Sequence, residues 1–206
     1  MQNLNIDGGS SEVDGDAIQV HYAHHVWIDH CDVRDAPDGN LDIVHGSDFV
    51  TVSWTRFSFS VDAVGERAST RVGHTDDAAA EDAEHLNVTF HDNFWDSGVV
   101  VALPSIRFGD VHIFGNYFAS PDAELAISAG VGARVLVEDN YFDRLAVPHR
   151  LNAAGAELRA DGNIYEGFTL AAEVEGVAFV PPYVYPRRDA ELIPTSVPAS
   201  AGARLD

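Results

Sequence analysis

VHIFGNYF (111–118) and, 24 residues further on, VLVEDNYF (135–142) are variations on one unit: a short run alternating apolar and polar residues, a turn at Asn, and an aromatic pair. The unit recurs as VWIDHCDV (26–33), VTVSWTRF (50–57), VTFHDNFW (88–95) and LRADGNIY (158–165), with starts 24, 38, 23, 24 and 23 residues apart. A period in the range of ~20 to 50 residues is the signature of a solenoid, and alternation without helical spacing makes each unit a strand. Asn tolerates left-handed backbone, and its amide can bond the equivalent residue of the next coil. Asn93, Asn116, Asn140 and Asn163 are therefore expected to stack in one internal ladder. The fold class implied is all-β, a parallel β-helix.

Domain organisation follows from the same period. No Pro/Ser-rich linker or change of composition divides the 206 residues, so one β-helix domain over 1–206 is expected, with coils over 1–167. The single 38-residue spacing marks an insertion loop at about 58–85, which a solenoid carries on one face, often the binding face. Residues 168–206 stop repeating, contain Pro181-Pro182, and read as a tail along the outside. A strand with its turn at Met1 to Ile6 opens the chain with no N-terminal cap, so the first coils of the solenoid are expected to be missing.

Charge narrows the partners. Asp and Glu total 33 against 12 basic residues, all of them Arg, for a net charge of -21. Such a surface argues against nucleic acid or an anionic membrane, both of which demand clustered cations. It fits a chain kept hydrated in strong salt, hence a halophilic source. There is no apolar run of the ~18 to 20 residues that a membrane span needs. Cys31 stands alone, which rules out an intramolecular disulfide and a thiolate-rich zinc site. It is expected as a small core residue.

Asp14, Asp16, Asp38 and Asp42 bring four carboxylates together around a strand within 29 residues. Asp14 and Asp16, two apart, face the same way on a strand, and Ca2+ prefers six to eight oxygens with several carboxylates among them. A calcium site is the expected reading, against the plainer one of four more surface acids. His21, His24, His25 and His30 crowd one region, but adjacent strand residues point to opposite sides, so His24 and His25 do not share a ligand face and no zinc site is expected. Phe94, Trp95, Tyr117, Phe118, Tyr141 and Phe142 follow the Asn turns and are expected to stack inside the coil.

VWIDH (26–30), DGNLDI (38–43) followed by GSDFVTVS (46–53), and PSIRFG (104–109) resemble the pectate lyase family, right-handed parallel β-helices that cleave polygalacturonate by calcium-assisted β-elimination. The resemblance runs from about residue 1 to about residue 190. It implies Asp14, Asp16, Asp38 and Asp42 as calcium ligands, Arg107 as a substrate-binding Arg, and Trp27, Asp29 and His30 as scaffold. It also implies a polygalacturonate- or pectin-like acidic polysaccharide as partner, a monomer, and a secreted, extracellular protein. Two positions depart from the family pattern. Ala102 stands where the family has the Arg that removes the proton, and Ala68 where it has a substrate-contacting Lys. An Ala accepts no proton, so any lyase activity needs a substitute base, for which Arg67, Arg71 and His74 are the candidates, against the plainer reading of solvated loop charges. Three functions remain: a calcium-dependent pectate lyase, a non-catalytic calcium-dependent uronate-binding β-helix, and a purely structural solenoid.

Overall fold

The computed structural model describes residues 1–9, 15–167 and 178–204. Each coil runs through three short strands in the same order, and every strand pairs in parallel with its counterpart one coil away. Three parallel sheets result. The first, here the cleft sheet, holds Asp16–His21, Gly39–Val44, Thr70–Val72, Ser105–Ile106, Leu125–Ala129 and Val147–Leu151. The second holds the quoted repeats, from His24–Asp29 through Arg134–Glu138 to Glu157–Asp161, and the third seven strands of two or three residues, from Asn5–Asp7 to Ile164–Glu166. The fold is the expected right-handed parallel β-helix.

The Asn ladder forms as expected. Asn116 Oδ1 accepts from the backbone N of Asn93 at 2.8 Å and from its Nδ2 at 3.1 Å. Asn140 Oδ1 receives the same pair from Asn116, both at 2.9 Å, and Asn163 Oδ1 from Asn140, again at 2.9 Å. Each Nδ2 also donates to a backbone carbonyl of the preceding coil, as Asn116 does to Phe90 at 3.0 Å. Toward the N-terminus the column continues without Asn: Thr55 N donates to Asn93 Oδ1, and Cys31 N to Thr55 Oγ1. The left-handed backbone belongs to the residue before each rung, Asp92, Gly115, Asp139 and Gly162, with φ between 50° and 68°, rather than to the Asn itself.

Only half of the aromatic pairs stack inside. Trp95, Phe118 and Phe142 are buried, and their rings continue a column from Phe57 to Tyr165 with centroid spacings of 4.6 to 5.5 Å. Phe94, Tyr117 and Tyr141 point outward because consecutive strand residues face opposite ways. They lie instead under Ala190, Ile193 and Val197 around the C-terminal helix Ile193–Ser200.

The insertion is not one loop. Thr70–Val72 runs through its middle as a regular rung of the cleft sheet, paired with Gly39–Val44 on one side and Ser105–Ile106 on the other. A coil lacking that rung would leave the backbone of both neighbours unpaired, and three residues are too few to show a period. The extra residues therefore form two loops flanking the cleft sheet, the second carrying the short helix Ala79–Asp82. Within the tail, residues 183–188 cross the second sheet. Arg187 donates to both Asp139 oxygens at 2.5 and 2.6 Å, Arg188 pairs with Asp92, and Tyr183 Oη lies 2.9 Å from buried His112 Nδ1. Burial pushes His112 down to about 4, so it is neutral.

Asn116→Ala should destabilise the protein by about 3 kcal/mol, because it strands the buried Asn93 amide and removes the Nδ2 bonds to the Phe90 and Phe114 carbonyls. Asn163→Ala, at the part-buried end of the column, should cost about 1 kcal/mol. Urea denaturation of the two variants checks the ranking, and equal small losses would show that the ladder is not cohesive.

Candidate functional site

The outer face of the cleft sheet presents one side chain per coil in strict register: Gln19, Asp42, Arg71, Ser105, Ser128 and Arg150 are successive partners. Polar residues occupy this column because inward positions of the same strands, such as Leu41, Ile43 and Ile106, fill the core. Asp16 is the register partner of Gly39, and the missing side chain there makes room for carboxylates. A Cβ on Gly39 would lie 2.9 Å from Asp16 Oδ1, 3.3 Å from Asp42 Oδ1 and 3.5 Å from Arg71 Nη1.

Both of those carboxylate oxygens are buried without a hydrogen-bond partner among the described residues. Burial, reinforced by the charge of Asp38, raises Asp16 to about 6; burial, reinforced by Asp16, raises Asp42 to about 7. Two stranded, mutually repelling oxygens on one face are what a hard cation would relieve, so the donor set fits Ca2+. Asp38 is drawn aside. Arg71 donates to its backbone oxygen at 2.9 Å, lies 3.6 Å from its carboxylate, and donates to Glu66 at 2.8 Å. Accordingly, no three His, Cys, Asp or Glu groups among the described residues stand in metal-holding geometry. Asp14 lies outside the described residues.

Beyond the carboxylates the column opens into a cleft of about 640 Å³ lined by Arg71, Ala102, Ser105, Arg107, Ser128 and Arg150, with exposed Asp122 and Glu124 at its rim. Arg107 is steadied by Asp76, its Nε donating to Oδ1 at 2.5 Å. Of the three candidate substitutes for a base, Arg71 alone lines the cleft. Arg67 donates to the Val61 carbonyl at 3.0 Å and closes its own loop. His74 belongs to a column of rings, 4.5 Å from His45, which in turn lies 4.3 Å from His21. Ala68 is fully buried and bridges Val101, so its Cβ does not face the cleft.

Trp27, Asp29 and His30 lie on the second sheet. Asp29 is buried, accepts from Ser53 Oγ at 2.6 Å, and has His30 Nδ1 2.8 Å away, a hydrogen-bonded scaffold element. His24 and His25 do not point to opposite sides: a φ of 56° at His25 breaks the alternation and brings their Nδ1 atoms within 2.7 Å. Ser105, Ser128 and Arg150 escape a sequence reading because two of the cleft strands concerned are only two or five residues long and carry no turn motif.

A right-handed β-helix with stranded carboxylates and a guanidinium-lined cleft along one sheet defines a particular class of solenoid. The family model described as pectate lyase matches residues 1–166. Pectate lyase A of Aspergillus niger is 44% identical over 135 residues, covering 62% of this chain and 39% of that protein. Probable pectate lyase A of Neosartorya fischeri is 31% identical over 212 residues, covering 100% of this chain and 62% of that protein. Among solved structures, a pectate lyase from Bacillus sp. N165 in complex with trigalacturonate superposes with a TM-score of 0.75 at 29% identity, covering 98% of this chain and 66% of that one. The chain belongs to the pectate lyase family. It spans less than two thirds of the length of either fungal relative.

The raised values of Asp16 and Asp42 set a sign for stability. Folded, both bind protons more tightly than unfolded, so they stabilise at low pH and weaken the fold as pH rises through about 6 and about 7. In chelator at about pH 8, Asp42→Asn should raise stability by about 2 kcal/mol, a gain that fades toward about pH 4. Thermal melts at both pH values check this; an Asn variant less stable at high pH would refute the stranded-charge reading.

Proposed function

We propose that this protein binds polygalacturonate or a closely related acidic polysaccharide along the cleft sheet, with Ca2+ held by Asp16, Asp38 and Asp42, together with Asp14. In this reading it is a pectate lyase-type enzyme whose β-elimination is crippled at Ala102. The observation that carries it is the placement of the stranded Asp16 and Asp42 oxygens on the same sheet face as Arg71, Arg107 and Arg150. Bound calcium would neutralise the uronate carboxylate and, as a Lewis acid, acidify the proton α to it.

The chain's own residues account for the rest. Arg107, steadied by Asp76, is oriented to take a carboxylate oxygen. Arg71 is paired with Glu66 and Asp38, contacts that fix its guanidinium on the cleft wall as a binding group. Ala102, half-buried on the cleft wall, offers only a methyl group. These last two features favour the second reading, a binder of uronate polymers that does not cleave them. Repulsion between a chain of net charge -21 and a polyanion shrinks in strong salt, where the Debye length falls to ~3 Å at 1 M. That fits action outside the cell in a saline medium.

Calorimetry should detect calcium binding that Asp38→Ala/Asp42→Ala abolishes, and saturating calcium should raise the melting temperature of the native chain by mass action. The ultraviolet absorbance of unsaturated uronate product, followed with polygalacturonate and calcium, reads the chemistry. Ala102→Arg should exceed the native chain by about 10²- to 10⁴-fold. Rapid product release by the native chain would overturn the role given to Ala102. Absence of calcium binding would overturn the metal site.

A further inference from the structure

The positive charges of this protein are nearly all spent within it. Arg34 is bound by Asp7, Arg56 by Asp96, Arg71 by Glu66, Arg107 by Asp76, Arg134 by Asp110, and Arg144 by Asp143. Arg187 and Arg188 hold the tail to Asp139 and Asp92, while Arg67 and Arg204 donate to backbone carbonyls. Among the described residues two guanidiniums have no such partner, Arg150 and Arg159. Arg159 lies on the second sheet, away from the cleft. Arg150 lines the cleft, exposed, at the far end of the register column from Asp42.

The environment makes that freedom notable. Asp122 and Glu124 line the same cleft and are also exposed, yet neither pairs with Arg150. The next polar groups in the column are neutral: Ser128 is the register partner of Arg150, and its Oγ is engaged by Asn152 Nδ2. An exposed guanidinium, planar and unpaired in a concave site, is suited to bidentate capture of a carboxylate supplied from outside.

We propose that Arg150 is a carboxylate-recognition site for the acidic polysaccharide, forming an additional electrostatic anchor at the end of the cleft away from Asp42. The proposal rests on the function given above and extends it by setting a minimum ligand length. Asp42 and Arg150 are four register steps apart through Arg71, Ser105 and Ser128. At ~4.8 Å per step that is about 19 Å, a span that takes several pyranose rings. A uronate oligomer long enough is held at both ends, by the carboxylate cluster through bridging calcium and by Arg150 directly. A dimer reaches only one.

The test is calorimetric binding of di- and hexagalacturonate, with calcium at low ionic strength, to the full chain and to Arg150→Ala, Arg150→Lys and Arg159→Ala. Arg159→Ala makes the same change in net charge on another sheet. Arg150→Ala should weaken the hexamer about tenfold or more, leave the dimer within about twofold, and leave calcium binding and the melting temperature unchanged. Arg150→Lys should recover part of the loss, and Arg159→Ala should match the native chain. Tight hexamer binding by the native chain and equally tight binding by Arg150→Ala would overturn the role of Arg150 while leaving the proposed function intact. An equal loss in Arg159→Ala would reduce the effect to net charge and also overturn it. No uronate binding by the native chain would instead remove the function on which the proposal rests.

Discussion

Parallel register between coils is the constraint on which everything else depends. In an isolated coil nearly every backbone amide would lack a partner; stacked, each pairs with the next coil, and only the turns need help. The buried Asn column supplies that help by donating and accepting across coils at one corner, locking Asn93, Asn116, Asn140 and Asn163 to one height on successive turns. A slip of one residue would orphan these amides and turn the column Phe57, Trp95, Phe118, Phe142 and Tyr165 out of the core. The fold is specified by corner chemistry and core shape together.

The same register assembles the cleft. Residues 42, 71, 105, 128 and 150 are far apart in sequence, yet lie one strand spacing apart because each is its neighbour's partner in the ladder. Along this line the charge changes character, from stranded carboxylates at Gly39, through a guanidinium already bound by Glu66, to Arg150, whose guanidinium has no ion-pair partner among the described residues. A solenoid makes such gradients readily, since any rung can change its outward residue without disturbing the inward ones.

An excess of carboxylates on a folded chain is self-repulsive, and the distribution of arginines limits that cost locally. Asp92 and Asp139, both nearly buried at the turns of the ladder, are neutralised by Arg188 and Arg187 from the tail. The tail thus contributes charge exactly where the coil turns leave it needed, and its helix covers the outward aromatics Phe94, Tyr117 and Tyr141.

Residues 26–165 determined the β-helix by themselves, because a 23- or 24-residue period with Asn at each turn is compatible with little else, and the acidic elements at Asp16, Asp38 and Asp42 were visible as spaced carboxylates. Their environment was not. Nothing in the spacing shows that Gly39 leaves Asp16 and Asp42 facing each other, that Arg71 draws Asp38 aside, or that Ala68 is buried. The rung Thr70–Val72, hidden in what reads as one long insertion, became evident only as a partner of its neighbours. Local sequence sets strand and turn through alternation and backbone preference, which act over a few residues. The cleft is set by register between coils, and register is a property of hydrogen bonds between segments 20 or more residues apart, which only the folded chain possesses.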